Sequence, residues 1–498
     1  MTTNLTTGRP ARLILVFAVP LLIGNVVQQL YGFADAFVVG RTIGVDALAA
    51  VGATGGLSFL MLGFAWGLTS GLAIPTAHAF GAGDAPAVRR SVAAGAVLTA
   101  AFAVVLTAVA VPAARPLLEL MHTPPEILDD ATVFIVVTFW GTAATISFNF
   151  LSSTIRALGD SRTPLVFLVV SCGLNVVLVF ALIRGLHMGV GGAALATVLS
   201  QVVSVVACLW LVRTRMPILR LTREDWRITR ADLVDQLRLG LPMGFQTSII
   251  AIGTLVLQYA INGLGAQAVA AFTAAQRVDA LAIAPMSSFG LALATFAAQN
   301  HGAALHARIR LGVRQTCLIT AGFSLAIAAV TISCGPWLVR MFVGQGQEHV
   351  VDLAQVYLVS NGILYVVLGL LFAIRGALQG LGRTVVPTVA GIMELVTRVA
   401  AALLLTGPLG FLGVSLAGPL AWVAAMIPLT WAYLHERRWM LEEERLRPLL
   451  DVPAPHGPRE PTPVAARAIE DGDEAVDEDG APLRCPDASE HGAPQSRR

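Results

Sequence analysis

From Leu13 to Gly40 the chain offers water almost nothing: Asn25, Gln28, Gln29, Tyr31 and Asp35 are its only polar side chains. A helix needs roughly 20 mostly apolar residues to cross ~30 Å of hydrocarbon, and this stretch is longer than that. Runs of the same kind recur along nearly the whole sequence. With 56% hydrophobic and 13% charged residues among 498, the chain has more apolar surface than a soluble core of this length can hide. Lipid leaves a backbone polar group no partner outside the protein, so only helices and closed barrels can span it. The strict alternation of barrel strands is missing. The chain therefore reads as an all-α polytopic membrane protein.

Clusters of Gly, Pro and Arg divide the apolar runs into twelve transmembrane segments: 12–39, 46–79, 91–115, 130–155, 163–184, 189–213, 236–262, 267–299, 312–340, 350–378, 385–407 and 411–435. An even number puts both ends on one side, and the basic residues choose the side. Every basic residue other than histidine is arginine. With the N-terminus inside, the inner segments of the first half hold thirteen arginines between Arg9 and Arg238, against Arg41, Arg115 and Arg184 outside. The second half agrees, with Arg308, Arg310, Arg314, Arg383, Arg437 and Arg438 inside and Arg340 outside. Both termini are therefore expected in the cytoplasm.

The opening run is too long for a signal-peptide core, so the first helix is expected to be retained. Five scattered cysteines lack metal or redox spacing. Five regions follow: an N-terminus (1–11), a six-helix lobe (12–213), a basic linker along the inner surface (214–235), a second six-helix lobe (236–435) and a cytoplasmic tail (436–498). The tail is rich in Pro, Gly, Asp and Glu and is expected to be largely disordered.

The halves repeat. "GVDALAAVG" at Gly44 is echoed by "GAQAVAAFT" at Gly265, "FGAGDAPAVRR" by "NHGAALHARIR", and "RALGDSRTP" at Arg156 by "QGLGRTVVP" at Gln379. Pro20 in the first segment pairs with Pro242 in the seventh, and the offset stays near 221 to 223. Because six is even, the two bundles share one orientation and are related by a pseudo-two-fold axis along the membrane normal. That is a transporter plan, with substrate sites between the lobes and alternating access by rocking. The sequence contains no HExxH, nucleophile elbow or phosphate-cradling loop, and no nucleotide-binding domain. No enzymatic activity and no cofactor are expected, and uphill transport would draw on an ion gradient.

The proline early in the first segment, "NVVQQLYGFAD" leading into "VGRTIGVDALAAVG", then "RALGDSRTP", "GLPMGFQ", "AVAAF" and "FAAQNHGA" together resemble the multidrug and toxic compound extrusion family. Its bacterial branch related to the DNA-damage-inducible transporter is the nearest in appearance. The resemblance covers about residues 12–435. It implies efflux of organic, often cationic and amphipathic compounds in exchange for protons or sodium, with the bilayer and small molecules as partners, no nucleic acid, and a monomer as the working unit. The wider superfamily includes flippases for lipid-linked cell-envelope precursors, the alternative reading. A flippase calls for several cavity arginines to hold a pyrophosphate, and only Arg277 and Arg398 read as deep in the membrane.

A carboxylate within a membrane helix is expensive unless neutralised, paired or wetted, so Asp35 is a functional candidate from the residues alone. The resemblance marks it as the cation-coupling residue, Pro20 as the hinge that bends with it, and Asn175 as a further part of the cation pocket. Where members with a fuller pocket carry an acid one turn after that asparagine, this chain has Val179. The missing ligand favours a proton over sodium as coupling ion; if sodium binds, Asp35 is its ligand. Gln28, Gln29 and Tyr31 lie within two turns of Asp35 and are candidates to orient it or line the cavity. In the second lobe the candidates are Gln246, where another branch carries a glutamate, Arg277 and Asp279 in the eighth segment, and Glu394 and Arg398 in the eleventh. The last two are spaced i,i+4 and are expected to form an ion pair.

Overall fold

The computed structural model describes residues 4–121, 123–343 and 346–446. Its first half holds α1 (Pro10–Thr42), α2 (Val45–Leu72) continued by α3 (Ile74–Gly81), α4 (Ala85–Leu120), α5 (Pro125–Trp140) with α6 (Thr142–Ala157), α7 (Arg162–Phe180) and α8 (Gly189–Arg215). The second half holds α9 (Arg230–Asn262), α10 (Ala266–Gly302), α11 (His306–Val343), α12 (Glu348–Gly362) with α13 (Tyr365–Gly380), α14 (Val385–Leu409) and α15 (Phe411–Leu446). Ten spans are long and apolar enough to cross a membrane, and two bent pairs, α5 with α6 (47°) and α12 with α13 (49°), make twelve among the described residues. The bends fall at Gly141 and at Ile363–Leu364, at the repeat spacing. The repeat also shows in the backbone. Gly44 and Gly265, which start the second span of each half, have φ of 134° and 94°, and Gly159 and Gly382, in the echoed "LG" turns, have 83° and 77°, conformations in which any other residue would be strained.

Several elements run past the expected borders. α4 extends from Ala85 to Leu120 rather than 91–115, and α15 continues to Leu446. Beyond the apolar stretch, α15 is tied to the bundle by Glu436 with Arg383, Glu443 with His306 and Glu444 with Arg310. The expected linker shortens to residues 216–229, and buried Met216 and Leu219 fix it to the first lobe. The expected tail from 447 onward lies outside the described residues.

Each lobe has its own core. In the first, Val38 and Val39 of α1 pack with Phe134, Val179 and Ala193; in the second, Phe272, Val278, Tyr357, Leu358 and Val414 meet. Between them α2 crosses α9 through small residues. A Cβ at Gly67 would lie 2.3 Å from the Met243 carbonyl oxygen, and one at Gly71 would lie 2.6 Å from Gly240 Cα. This is the close backbone approach by which membrane helices associate.

α1 belongs to both lobes. Before Pro20, its Ile14, Phe17 and Ala18 are buried with Leu293 and Phe296 of α10, Ile309 and Val313 of α11 and Ala377 of α13, all in the second half. After Pro20, Gly24 faces Leu165 and Leu168 of α7, and Val38 and Val39 enter the first-lobe core. Past the proline the helix gains its packing on the first lobe, while Asn25 still reaches Ser288 of α10.

Candidate functional site

In the first lobe, three helices each contribute residues one turn apart: Tyr31 and Asp35 from α1, Ser171 and Asn175 from α7, Thr197 and Ser200 from α8. Asn175 donates from Nδ2 to Thr197 Oγ1 at 3.1 Å. Tyr31 turns its hydroxyl toward Thr197 and Ser200 and lies close to Asp35. Four oxygen atoms here are buried without a hydrogen-bond donor or acceptor: Asp35 Oδ1, Tyr31 Oη, Ser171 Oγ and Asn175 Oδ1. No arginine pairs with Asp35 among the described residues; Arg41, on the same helix, sits 5.7 Å from the Phe37 ring centroid instead. Orphaned polar atoms in a low-dielectric interior are costly, and four within one cluster mark a pocket that a proton or a small cation would satisfy. Val179, one turn beyond Asn175, is fully buried against α1, so the pocket ends there in hydrocarbon.

Gln28 and Gln29 are exposed and make no hydrogen bond among the described residues. Gln29 lies one turn from Asn25, which donates to Ser288 Oγ of α10 at 3.0 Å, so it shares the α1 face turned toward the second lobe.

The second lobe brings its candidates together differently. Glu394 accepts from Arg398 at 2.8 Å, the expected pair, and also from Arg375 of α13 at 3.0 Å. Asp279 of α10 accepts from Tyr365 Oη at 2.5 Å and Tyr357 Oη at 3.5 Å. Two carboxylates and two guanidiniums thus balance one another. Gln246 donates to the Pro387 carbonyl at 3.0 Å and accepts from Gln379 at 2.9 Å, which ties α9 to α13 and α14. Arg277 stands apart from these groups. It is two residues from Asp279, so it points to the other side of α10; it is exposed, with its guanidinium 5.0 Å from the Phe33 ring centroid on α1. The buried arginines of the second lobe, among the described residues, are Arg375 and Arg398. Sequence reasoning missed Arg375, Tyr357, Tyr365 and Gln379. The tyrosines carried a usable signal, since a phenol inside an apolar run must find a partner.

Polar links between the lobes gather on the face that carries the N-terminus. Gln299 of α10 donates to the Ala157 carbonyl at 2.8 Å and accepts from the Leu5 amide at 3.0 Å. His78 Nε2 lies 2.7 Å from the Gly380 carbonyl oxygen and so carries the hydrogen. Gln236 Nε2 donates to Ser91 Oγ at 3.1 Å. A Cβ at Gly81 would lie 1.9 Å from the Gln299 carbonyl oxygen, and one at Gly302 the same distance from that of His78. The bundle is sealed at this face.

Comparison with known proteins places the geometry. The MatE family model matches twice, over residues 20–181 and 242–404, once in each lobe at the repeat spacing. The chain is 26% identical to the probable multidrug resistance protein YpnP of Bacillus subtilis, over 76% of this chain and 84% of that protein. It is 30% identical to the DNA damage-inducible protein F of Escherichia coli over 39% of this chain and 43% of that one. Among solved structures, a MATE crystal structure in the bent conformation superposes with a TM-score of 0.83 at 25% identity, covering 89% of this chain and 100% of that one. An outward-facing multidrug resistance MATE transporter gives 0.81 at 25% identity, over 89% and 99%. With the family model matched across more than half of its length, this chain belongs to the MatE family of multidrug transporters, built as twelve helices in two lobes.

Proposed function

We propose that the chain is a secondary antiporter of the bacterial plasma membrane, both termini cytoplasmic, that exports organic amphipathic compounds, cationic ones among them, in exchange for protons. The observation that carries this reading is Asp35: a carboxylate inside the first lobe, free of any arginine among the described residues, beside three other unsatisfied oxygens. The sealed face is then the cytoplasmic one, and the conformation is outward-facing.

Entry of a proton neutralises Asp35 and removes the penalty of keeping a charge among apolar helices. The two charge states therefore favour different degrees of hydration of the pocket, and so different positions of the upper half of α1. Pro20 supplies the joint, since it cannot donate to the Val16 carbonyl. The lower half of α1 is clasped by the second lobe, so a bend at Pro20 moves the lobes relative to each other. Such motion breaks the Gln299–Ala157 and His78–Gly380 bonds and opens the cavity inward.

The test is flux in proteoliposomes loaded with a fluorescent organic cation, driven by a pH gradient alone or a sodium gradient alone. Proton-driven exchange in the wild type, lost in Asp35→Asn while dye binding persists, is the expected result. Undiminished coupling in Asp35→Asn sinks the assignment, and flux driven only by sodium replaces the proton as coupling ion.

A further inference from the structure

On the sealed side, a half-open cleft of about 470 Å³ lies where α3 meets the first turns of α9 and α14, a size within the ~300–1,000 Å³ of small-ligand sites. Pro75 and His78 bring the first lobe to its wall; Asp235, Arg238, Leu239 and the 382–386 segment bring the second. Its level in the membrane follows from the sequence. Arg238 is the last charged residue of α9 before an uncharged stretch that runs to Asn262, and Arg383 is the last before α14 begins. Both therefore stand where headgroups meet hydrocarbon.

Arg383 is already paired with Glu436 at 2.7 Å. Asp235 and Arg238 are different: both are exposed, and neither forms an ion pair or a side-chain hydrogen bond among the described residues. They are spaced i,i+3, which puts their Cβ atoms ~5–6 Å apart on one face of α9. Thr384 Oγ1 donates to the Arg238 carbonyl at 3.2 Å and so fixes this turn to α14. The cleft thus offers one free cation and one free anion at a set separation on rigid backbone. The repeat holds no second such pair, since the equivalent positions of the first segment are Leu13 and Val16. From the cleft an apolar stripe leads along one face of α14 through Val385, Val389, Ile392 and Val396, each between 45% and 61% exposed.

We propose that the cleft binds a phospholipid whose headgroup carries both signs, phosphatidylethanolamine, with its phosphate on Arg238, its ammonium on Asp235 and its acyl chains along the α14 stripe. A guanidinium grips phosphate oxygens through two parallel hydrogen bonds, and a primary ammonium has three donors to offer a carboxylate. A trimethylammonium headgroup has none, and a glycerol headgroup has no positive charge to set against Asp235. Because both lobes wall the cleft, the bound lipid braces the sealed state beside the His78–Gly380 bond. The assignment goes beyond the export reading and does not depend on it.

The test is native mass spectrometry of the full chain in neutral detergent, offered equal amounts of dioleoyl phosphatidylethanolamine, phosphatidylglycerol and phosphatidylcholine. The wild type is expected to retain the ethanolamine lipid several-fold over the other two. Arg238→Gln should lower that retention about fivefold, and Asp235→Asn should lower it while raising retention of the glycerol lipid. Both side chains are exposed, so both variants should fold; Arg223→Gln, an exposed arginine outside the cleft, should leave the order of lipids unchanged. Equal retention of all three lipids, a wild type that prefers the glycerol lipid, or a preference that survives both cleft variants would overturn the site. Soluble O-phosphoethanolamine should fail to displace the lipid; displacement at matched concentration would make the ligand a free phosphate ester and overturn the lipid assignment. None of these readouts involves ion-driven flux, so the export reading stands or falls separately.

Discussion

The two lobes descend from one plan, yet they treat charge and proline in opposite ways. In the second lobe Glu394 is shared by two arginines, and Asp279 is held by two tyrosines. In the first, Asp35 stands without a cation among the described residues. The prolines differ in the same sense. Pro242 leaves the Arg238 carbonyl without its helical donor, and Thr384 Oγ1 fills the gap at 3.2 Å, while Thr388 Oγ1 donates to the Pro242 carbonyl at 2.9 Å. At the equivalent sites the first lobe has Ser161 and Leu165, and no side-chain donor among the described residues reaches the Val16 carbonyl freed by Pro20. One copy is neutralised and pinned, and the other is left charged and free to bend. In the proposed exchange cycle a duplicated bundle would thus gain direction, with the second lobe as frame and the first as the moving part.

The sharpest way to break this comparison is to remove the shared carboxylate. Glu394→Gln takes from two buried guanidiniums the carboxylate they share and should cost about 3–5 kcal/mol, seen as a large fall in Tm in detergent. Asp35→Asn, which removes an unpaired buried charge, should leave Tm unchanged or raise it. Similar losses from both would mean that the lobes do not differ in kind.

Exchanging the pins should have a smaller effect. Leu165→Thr brings a hydroxyl to the turn beside Pro20 and should slow turnover several-fold with little change in apparent substrate affinity. Thr384→Val and Thr388→Val should each cost about 1 kcal/mol and speed hydrogen exchange in α9 near Pro242. Turnover that responds to the second pair and ignores the first would reverse the roles of frame and mover.

The smallest effect lies outside the membrane, in the connection between the lobes. Burial alone would raise the pKa of Asp225, but bonds from the Thr222 amide and hydroxyl and the charge of Arg89 outweigh it and hold it below the usual aspartate range. A depressed folded-state value adds stability at neutral pH, lost as pH falls through that value. Proteolysis of the 216–229 connection should therefore quicken only in acid, and Asp225→Asn should remove this pH dependence without altering flux.

The twelve spans were legible because apolar length and arginine breaks are local features. Their ends were under-read where polar residues keep the helix going beyond the lipid, as Glu436, Glu443 and Glu444 do in α15. Within the site, Glu394 and Arg398 were legible from their i,i+4 spacing, and Tyr31, Asp35 and Asn175 do meet in one cluster. Arg375 was not, because its bond to Glu394 joins α13 to α14 and leaves no periodic trace. The opposite destinations of Arg277 and Asp279 follow from helix geometry, but which side of α10 faces the lobe interior depends on packing. The division of α1 between lobes is likewise a tertiary fact, although Pro20 marked the place.

At the sealed face, Gly81 and Gly302 each press bare backbone against the opposing helix. Contacts of this kind have no long side chain to stretch, and a gap of about 0.5–1 Å already forfeits a quarter to a half of the attraction. The seal thus behaves as a latch: it holds until the lobes have parted by a fraction of an atomic diameter, then lets go. For the proposed exchanger, a latch that yields all at once would leave little time in half-open states through which ions leak, and so would protect its driving gradient.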